Sequence, residues 1–139
     1  MSGHPPQPVA DPLSIPYWER TARGELVLAR CERCGLLSHP PDVVRLRCHD
    51  PHVRYRFERM GGSGSVRSWV IIRQSFLPGF EVPFLLVDVA IDEDPEIRLV
   101  GRYTDWPDAT PVLDERVLVT FDLLDDGFAV PAFAREVRP

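Results

Sequence analysis

The sequence predicts a mainly β chain in two parts: a short helix with a small cysteine-bearing module, then a five-stranded barrel. Three observations carry that expectation. Fifteen prolines and nine glycines in 139 residues cut the chain into short pieces and argue against a helix bundle. The second half holds several runs that alternate apolar and polar residues, with the two-residue period of a strand. The first half carries "CERCG", Cys31 to Gly35, a pair of cysteines at the spacing of a metal knuckle.

The elements follow in order. Residues 1–13 are rich in proline and read as a disordered leader. In "SIPYWERTARGEL" Ser14 is an N-cap candidate, Pro16 sits in the first turn and Gly24 is a stop, so a helix of about two turns is expected. Tyr17 and Trp18 are available to pack or to dock on a partner. "ELVLARC" then alternates like a strand and "CGLLSHPP" returns. A Cys-x-x-Cys-Gly turn at that hairpin tip would aim backbone N–H groups at the thiolates, and Gly35 permits the positive φ it needs. "GGSG", Gly61 to Gly64, reads as a flexible linker, which divides the chain into residues 14–61 and 62–139.

The barrel strands are expected at Ser65 to Phe76, Phe84 to Asp92, Ile97 to Tyr103, Arg116 to Leu124 and the closing "FAVPAFA". "DDG", Asp125 to Gly127, is a hairpin turn. The proline in the last strand suggests a sheet edge. Five strands in roughly 75 residues, the first long and bendable, suggest a small closed or partly open barrel, for which an OB-fold is the leading candidate.

Charge narrows the function classes. All sixteen basic residues are arginine, so no Schiff-base or general-base lysine exists. Residues 1–61 hold nine arginines against seven acidic residues, a net of +2. Residues 62–139 hold seven against fourteen, a net of -7. A nucleic-acid face should be basic, so the acidic barrel argues against that class. No apolar run approaches the roughly 20 residues of a membrane span, and nothing reads as a secretory signal. Three cysteines fit a reducing, cytoplasmic setting better than a disulfide framework.

A ribbon zinc needs four ligands. Cys31 and Cys34 give the first knuckle and Cys48 begins the second, but Pro51 stands where the fourth cysteine should be. His52 makes a Cys48-x3-His52 spacing compatible with a Cys3His site; His49 is poorly placed, and His39 is a further possibility. The expected set is Cys31, Cys34, Cys48 and His52 around a structural zinc. The alternatives are a ribbon without metal or a Cys31–Cys34 disulfide.

Catalytic signatures are missing. There is no Gly-x-Ser-x-Gly elbow and no Ser-His-Asp arrangement, and "GGSGS" lacks the Lys of a phosphate loop. Of the histidines, His39, His49 and His52 fall in the ribbon region and none in the barrel. "DEDPE", Asp92 to Glu96, reads as a solvated turn. The loop "SFLPGFEVPF" is more suggestive: Phe76, Leu77, Phe80 and Phe84 are more apolar surface than a connector needs. They would either cap the barrel or form a docking patch. Trp69 reads as core, and Trp106, in "TDWPD", as a candidate interface anchor. Arg54 and Arg56 in "RYRFER" would share one face of a strand with Glu58, as a solvated surface or as partners for phosphate.

The ordered series "GEL", "LARCERCG", "HPP", "GSGSVRSWVIIRQSFLPGFEVPFLLVDVAID", "LVGRY", "RVLVTF" and "GFAVPAF" resembles the DUF35 family over about residues 14–134. Members join a rubredoxin-like zinc ribbon to an OB-fold. This chain departs from the pattern at Pro51. The resemblance implies an accessory subunit or domain, not catalytic alone, that binds a thiolase-superfamily aldolase or acyltransferase and helps position acyl-CoA. Steroid side-chain or lipid catabolism is the setting it suggests. A partnership with a MaoC-like enoyl-CoA hydratase is the alternative within the family. A single-stranded nucleic-acid-binding OB-fold is the alternative outside it. The implied partners are a thiolase-like protein in a hetero-oligomer and acyl-CoA at a shared site, with neither nucleic acid nor membrane.

Overall fold

The computed structural model describes residues 5–42, 49, 51–75 and 77–137. The helix, α1, runs Ile15–Thr21. Ser14 stands at its N-cap, but the side chain that caps the start is Asp11. Its Oδ1 accepts from the Leu13 and Ser14 N–H groups at 2.9 and 2.8 Å. A proline in the first turn costs no helical hydrogen bond, and Gly24, at φ 78°, ends the segment. Tyr17 and Thr21 are buried, one turn apart on the face that meets the sheet. Trp18 lies edge-on to Tyr17 at 4.9 Å and to Phe128 at 5.7 Å, so one short helix touches both parts of the chain.

The first sheet has three antiparallel strands in the order β2-β1-β3: β1 Val27–Cys31, β2 Leu37–Ser38 and β3 Tyr55–Arg59. The central strand β1 is buried almost throughout. The Met60 N–H donates to Leu26 O at 2.8 Å, extending the pairing to the doorway of the barrel.

The barrel comprises β4 Ser63–Ile72, β5 Phe84–Ile91, β6 Arg98–Tyr103, β7 Arg116–Leu123 and β8 Ala129–Arg135. Their order, β4-β5-β6-β8-β7 and back to β4, makes a closed barrel in which only β6 and β8 run parallel. This is the five-stranded OB arrangement expected. Val66, Leu85, Val87, Val89, Val117, Tyr103 and Phe133 fill it, each at 1% exposure or less. At Gly101 the β6 and β8 backbones touch. A Cβ there would lie 2.5 Å from Pro131 O, a backbone atom that cannot step aside.

The structure corrects three expectations. "GGSG" is not a flexible linker: Ser63 and Gly64 open β4, and Gly62 and Gly64 are buried. The glycines are there for space. A Cβ at Gly64 would meet Val89 Cγ1 at 2.5 Å and Ala90 O at 2.6 Å. Pro131 does not mark a sheet edge, since β8 has neighbours on both sides; its pairing with β6 begins at Ala132, after the residue that lacks an N–H. Trp69 is not core but 40% exposed. Its part of β4 lies beyond the residues that pair with β7. The acidic turn is solvated as expected, with Asp92, Glu93 and Glu96 exposed; Asp92 also holds Arg116, and Glu93 Oε2 accepts from the Gly61 N–H at 2.7 Å.

Burial pushes the Tyr17 phenol up to about 12. A folded-state pKa above the unfolded one stabilises the fold fully below the unfolded value and loses that effect as pH rises past it. Stability should therefore fall by an amount on the order of 2 kcal/mol from this residue as pH climbs from about 10 to 12. Tyr17→Phe should flatten that part of the alkaline limb in urea unfolding at graded pH. Burial and the hydrogen bond to Glu115 also raise Tyr103, so a residual slope should persist.

Candidate functional site

The β4–β5 loop, the β6–β7 loop and the outward side chains of β5, β6 and β8 enclose a groove of about 530 Å³. Its walls bring together three residues singled out in the sequence: Phe80, Phe84 and Trp106. Phe80 and Phe84 stack at 6.2 Å with an interplanar angle of 26°. Phe80 remains 43% exposed, so the pair lines an open surface and does not plug the barrel end. Leu77 is 56% exposed and stands outside the groove. Phe76 lies outside the described residues.

Other wall residues were not picked out from the sequence: Leu86, Val100, Arg102, Asp122 and Val130. A signal for one of them, Leu86, was present. "FLLVDV" is apolar at Phe84 and Leu86 as well as at the buried Leu85 and Val87, and a strand apolar on both sides is covered on both. Val100, 60% exposed, carried no comparable signal.

The polar part of the wall is a two-pronged ion pair. Arg102 Nε and Nη2 donate to Asp122 Oδ2 and Oδ1 at 2.9 and 2.8 Å. Arg102 is opposite Ala132 on β8, and Thr120 of β7 flanks Ala132 on its other side. The fork therefore spans β8 and covers Ala132, which is fully buried. The hydrogen bond to Asp122 holds the guanidinium above its ordinary pKa, so it stays charged.

A general base in the barrel would have to be a carboxylate, and arginines hold three of the barrel's aspartates. Asp88 accepts from Arg98 at 2.7 Å. Asp114 is paired with Arg67. Asp92 is held below the usual carboxylate range by its hydrogen bond from Arg116. These groups read as structural clamps.

The ribbon tip is a knuckle in geometry. Gly35, at φ 75°, donates its N–H to Cys31 O at 2.9 Å, and the Cys31 N–H donates to Leu36 O at 2.9 Å. Cys31 is buried and Cys34 half-buried. The Glu32 N–H donates to Arg54 O at 2.9 Å, and His52 shares a small cleft with Glu32, Arg33 and Arg54. The second half of the ribbon thus returns to the first knuckle. Among the described residues no three His, Cys, Asp or Glu side chains are assembled as a metal group; the expected set includes Cys48, which lies outside them. His39 is elsewhere. The Ala29–Ser38 register sets it beside Leu28, about 10 Å along β1 from Cys31, and its ring lies 5.1 Å from that of Tyr17. Burial there holds it below the ordinary histidine value. Arg54 and Arg56 sit on the ribbon and not in the groove. Arg56 binds Glu58 at 2.9 Å, alongside Arg30 at 2.6 Å.

No helix among the described residues is long and apolar enough to cross a membrane. No family model matches the sequence. A curated relative, described as a probable enoyl-CoA hydratase alpha subunit of Thermomonospora curvata, is 26% identical over 121 residues. The match covers 78% of this chain and 37% of the relative, so the chain spans little more than a third of that protein's length. A solved structure described as an Ltp2-ChsH2(DUF35) aldolase matches with a TM-score of 0.81 at 24% identity. That match covers 94% of this chain and 100% of the other. A DUF35-family protein of unknown function from Sulfolobus solfataricus matches with a TM-score of 0.61 at 10% identity, over 91% and 87% of the two chains. The fold of this chain is the DUF35 fold, ribbon and barrel together.

Because the Arg102–Asp122 pair is partly exposed, its energetic contribution should be small. Arg102→Ala is expected to cost about 1 kcal/mol or less in chemical denaturation. A cost several times larger would show that the fork, and not the backbone, binds β6 to β7 across β8.

Proposed function

We propose that this chain is a DUF35-family accessory subunit or domain that docks on a thiolase-like aldolase or acyltransferase and helps hold its acyl-CoA substrate. The observation that carries this reading is the end-to-end likeness, at a TM-score of 0.81, to the DUF35 chain of an aldolase assembly. The groove supports it: aromatic side chains converge on an open, mostly apolar surface with a single fixed ion pair. Such a surface suits an acyl chain or an apolar partner segment. Arg54 and Arg56 are proposed for the phosphate end of the substrate, on the separate ribbon surface. Steroid side chains and other lipid acyl groups are the substrates this reading favours.

The curated relative favours a second reading, in which the chain serves an enoyl-CoA hydratase of the MaoC-like type as a domain or partner. The two separate by reaction: carbon–carbon cleavage or acyl transfer in the first, hydration of an enoyl thioester in the second.

The test is co-elution of the purified chain with thiolase-superfamily aldolases and acyltransferases of the same organism, with acyl-CoA turnover measured for each alone and for the pair. The pair should co-elute and gain activity that neither half shows. Trp106→Ala should weaken the complex about tenfold or more. Cleavage or hydrolysis of acyl-CoA by the isolated chain would overturn the accessory role.

For the ribbon, Cys31, Cys34, Cys48 and His52 are proposed to hold a structural zinc. Four protein ligands leave no open position for water, so the ion would act as a clasp for a module with a small core. Metal analysis should find about one zinc per chain, and Cys34→Ser should lower both the zinc content and the melting temperature. Less than a tenth of an equivalent in the unaltered protein would end that assignment.

A further inference from the structure

Closure of the barrel uses only the first part of β4. Its pairing with β7 covers Ser63, Gly64 and Ser65. The Val66 N–H then donates to Glu115 O, and the Asp114 N–H to Val66 O. From Ser68 to Ile72 the ladder to β5 continues. The opposite edge of that stretch has no backbone partner among the described residues. Arg67 to Val70 are four consecutive exposed positions, with Trp69 at 40% and Val70 at 52%.

An open edge is a row of unpaired N–H and C=O groups, and proteins usually blunt one with charge, proline or a bulge. Here a register shift lies between Val66 and Ser68. Beyond it the run "SWVII", Ser68 to Ile72, holds no charge and no proline. It is aromatic and β-branched, the composition that pairs most readily as strand. The run also adjoins the groove across its paired side. Val70 and Ile72 are opposite Leu86 and Phe84 on β5, and both of those line the groove.

A ladder of this kind selects an extended strand as its occupant. Charge selects whose. Arg67, tied to Asp114, and Arg73 bracket the uncharged run. A second copy would bring two more arginines to the same short ladder, whereas a strand with an acidic end complements it.

We propose that the Arg67–Ile72 edge of β4 receives an extended strand of the partner enzyme, apolar at its centre and acidic where it meets Arg73. The proposal rests on the accessory-subunit reading above. The experiment is amide hydrogen exchange on the full chain, alone and mixed with the thiolase-superfamily protein that co-elutes with it. Outward-pointing amides between Arg67 and Ile72 should exchange fast in the free chain and at least tenfold more slowly in the complex. Arg73→Glu should weaken the complex about tenfold while leaving the free chain's melting temperature unchanged, since Arg73 is exposed and beyond the strand. A complex that forms without slowing those amides overturns the edge and spares the accessory role. Slowing that appears in the free chain as it dimerises with concentration assigns the edge to a second copy and overturns the proposal. The absence of any complex sinks the accessory role, and the proposal with it.

Discussion

The barrel depends on one close approach. At Gly101 the missing side chain lets β6 come within backbone contact of β8 at Pro131, where a Cβ would lie 2.5 Å from the carbonyl oxygen. That approach sets β8 between β6 and β7, so the chain's last strand closes the barrel and does not hang on an edge. Ala132 then lies small and buried between the two neighbours, and Arg102 can reach over it to Asp122. The floor of the groove and its Arg102–Asp122 pair follow from the contact at one glycine.

Charge in this molecule is spent within the fold. The barrel half is strongly acidic, but Asp88, Asp92, Asp114 and Asp122 each hold an arginine. Arginine suits this use because its planar fork meets both carboxylate oxygens, as at Asp92 and Asp122. The pairs are partly exposed, so each contributes little stability. Their effect is to fix which strand lies next to which, as where Arg116 reaches from β7 to the residue after β5.

Strand positions were legible in the sequence because alternation is a local property. Each barrel strand lies within a few residues of its expected place, and the helix starts and stops where Pro16 and Gly24 indicate. Relations between strands were not legible. Pro131 looked like an edge residue because a missing N–H is visible in sequence and the parallel pairing that begins just after it is not. Trp69 looked like core because tryptophan usually is; the early end of the β4–β7 pairing is a tertiary fact. "GGSG" looked flexible because glycine signals both mobility and crowding, and only the neighbours at Val89 and Ala90 distinguish the two. Of the candidate surface, Phe80, Phe84 and Trp106 were legible as surplus apolar side chains in loops. Arg102 and Asp122 were not, since their pairing joins positions twenty residues apart.

The three tryptophans occupy three different situations. Trp18 lies edge-on to Phe128, where the helix meets the barrel hairpin. Trp69 stands on the open part of β4, and Trp106 is in the groove wall. The chain therefore carries three built-in fluorophores. With two of them replaced by phenylalanine, the emission of the third becomes a local optical reporter, of the seam between the modules, of the strand edge or of groove occupancy.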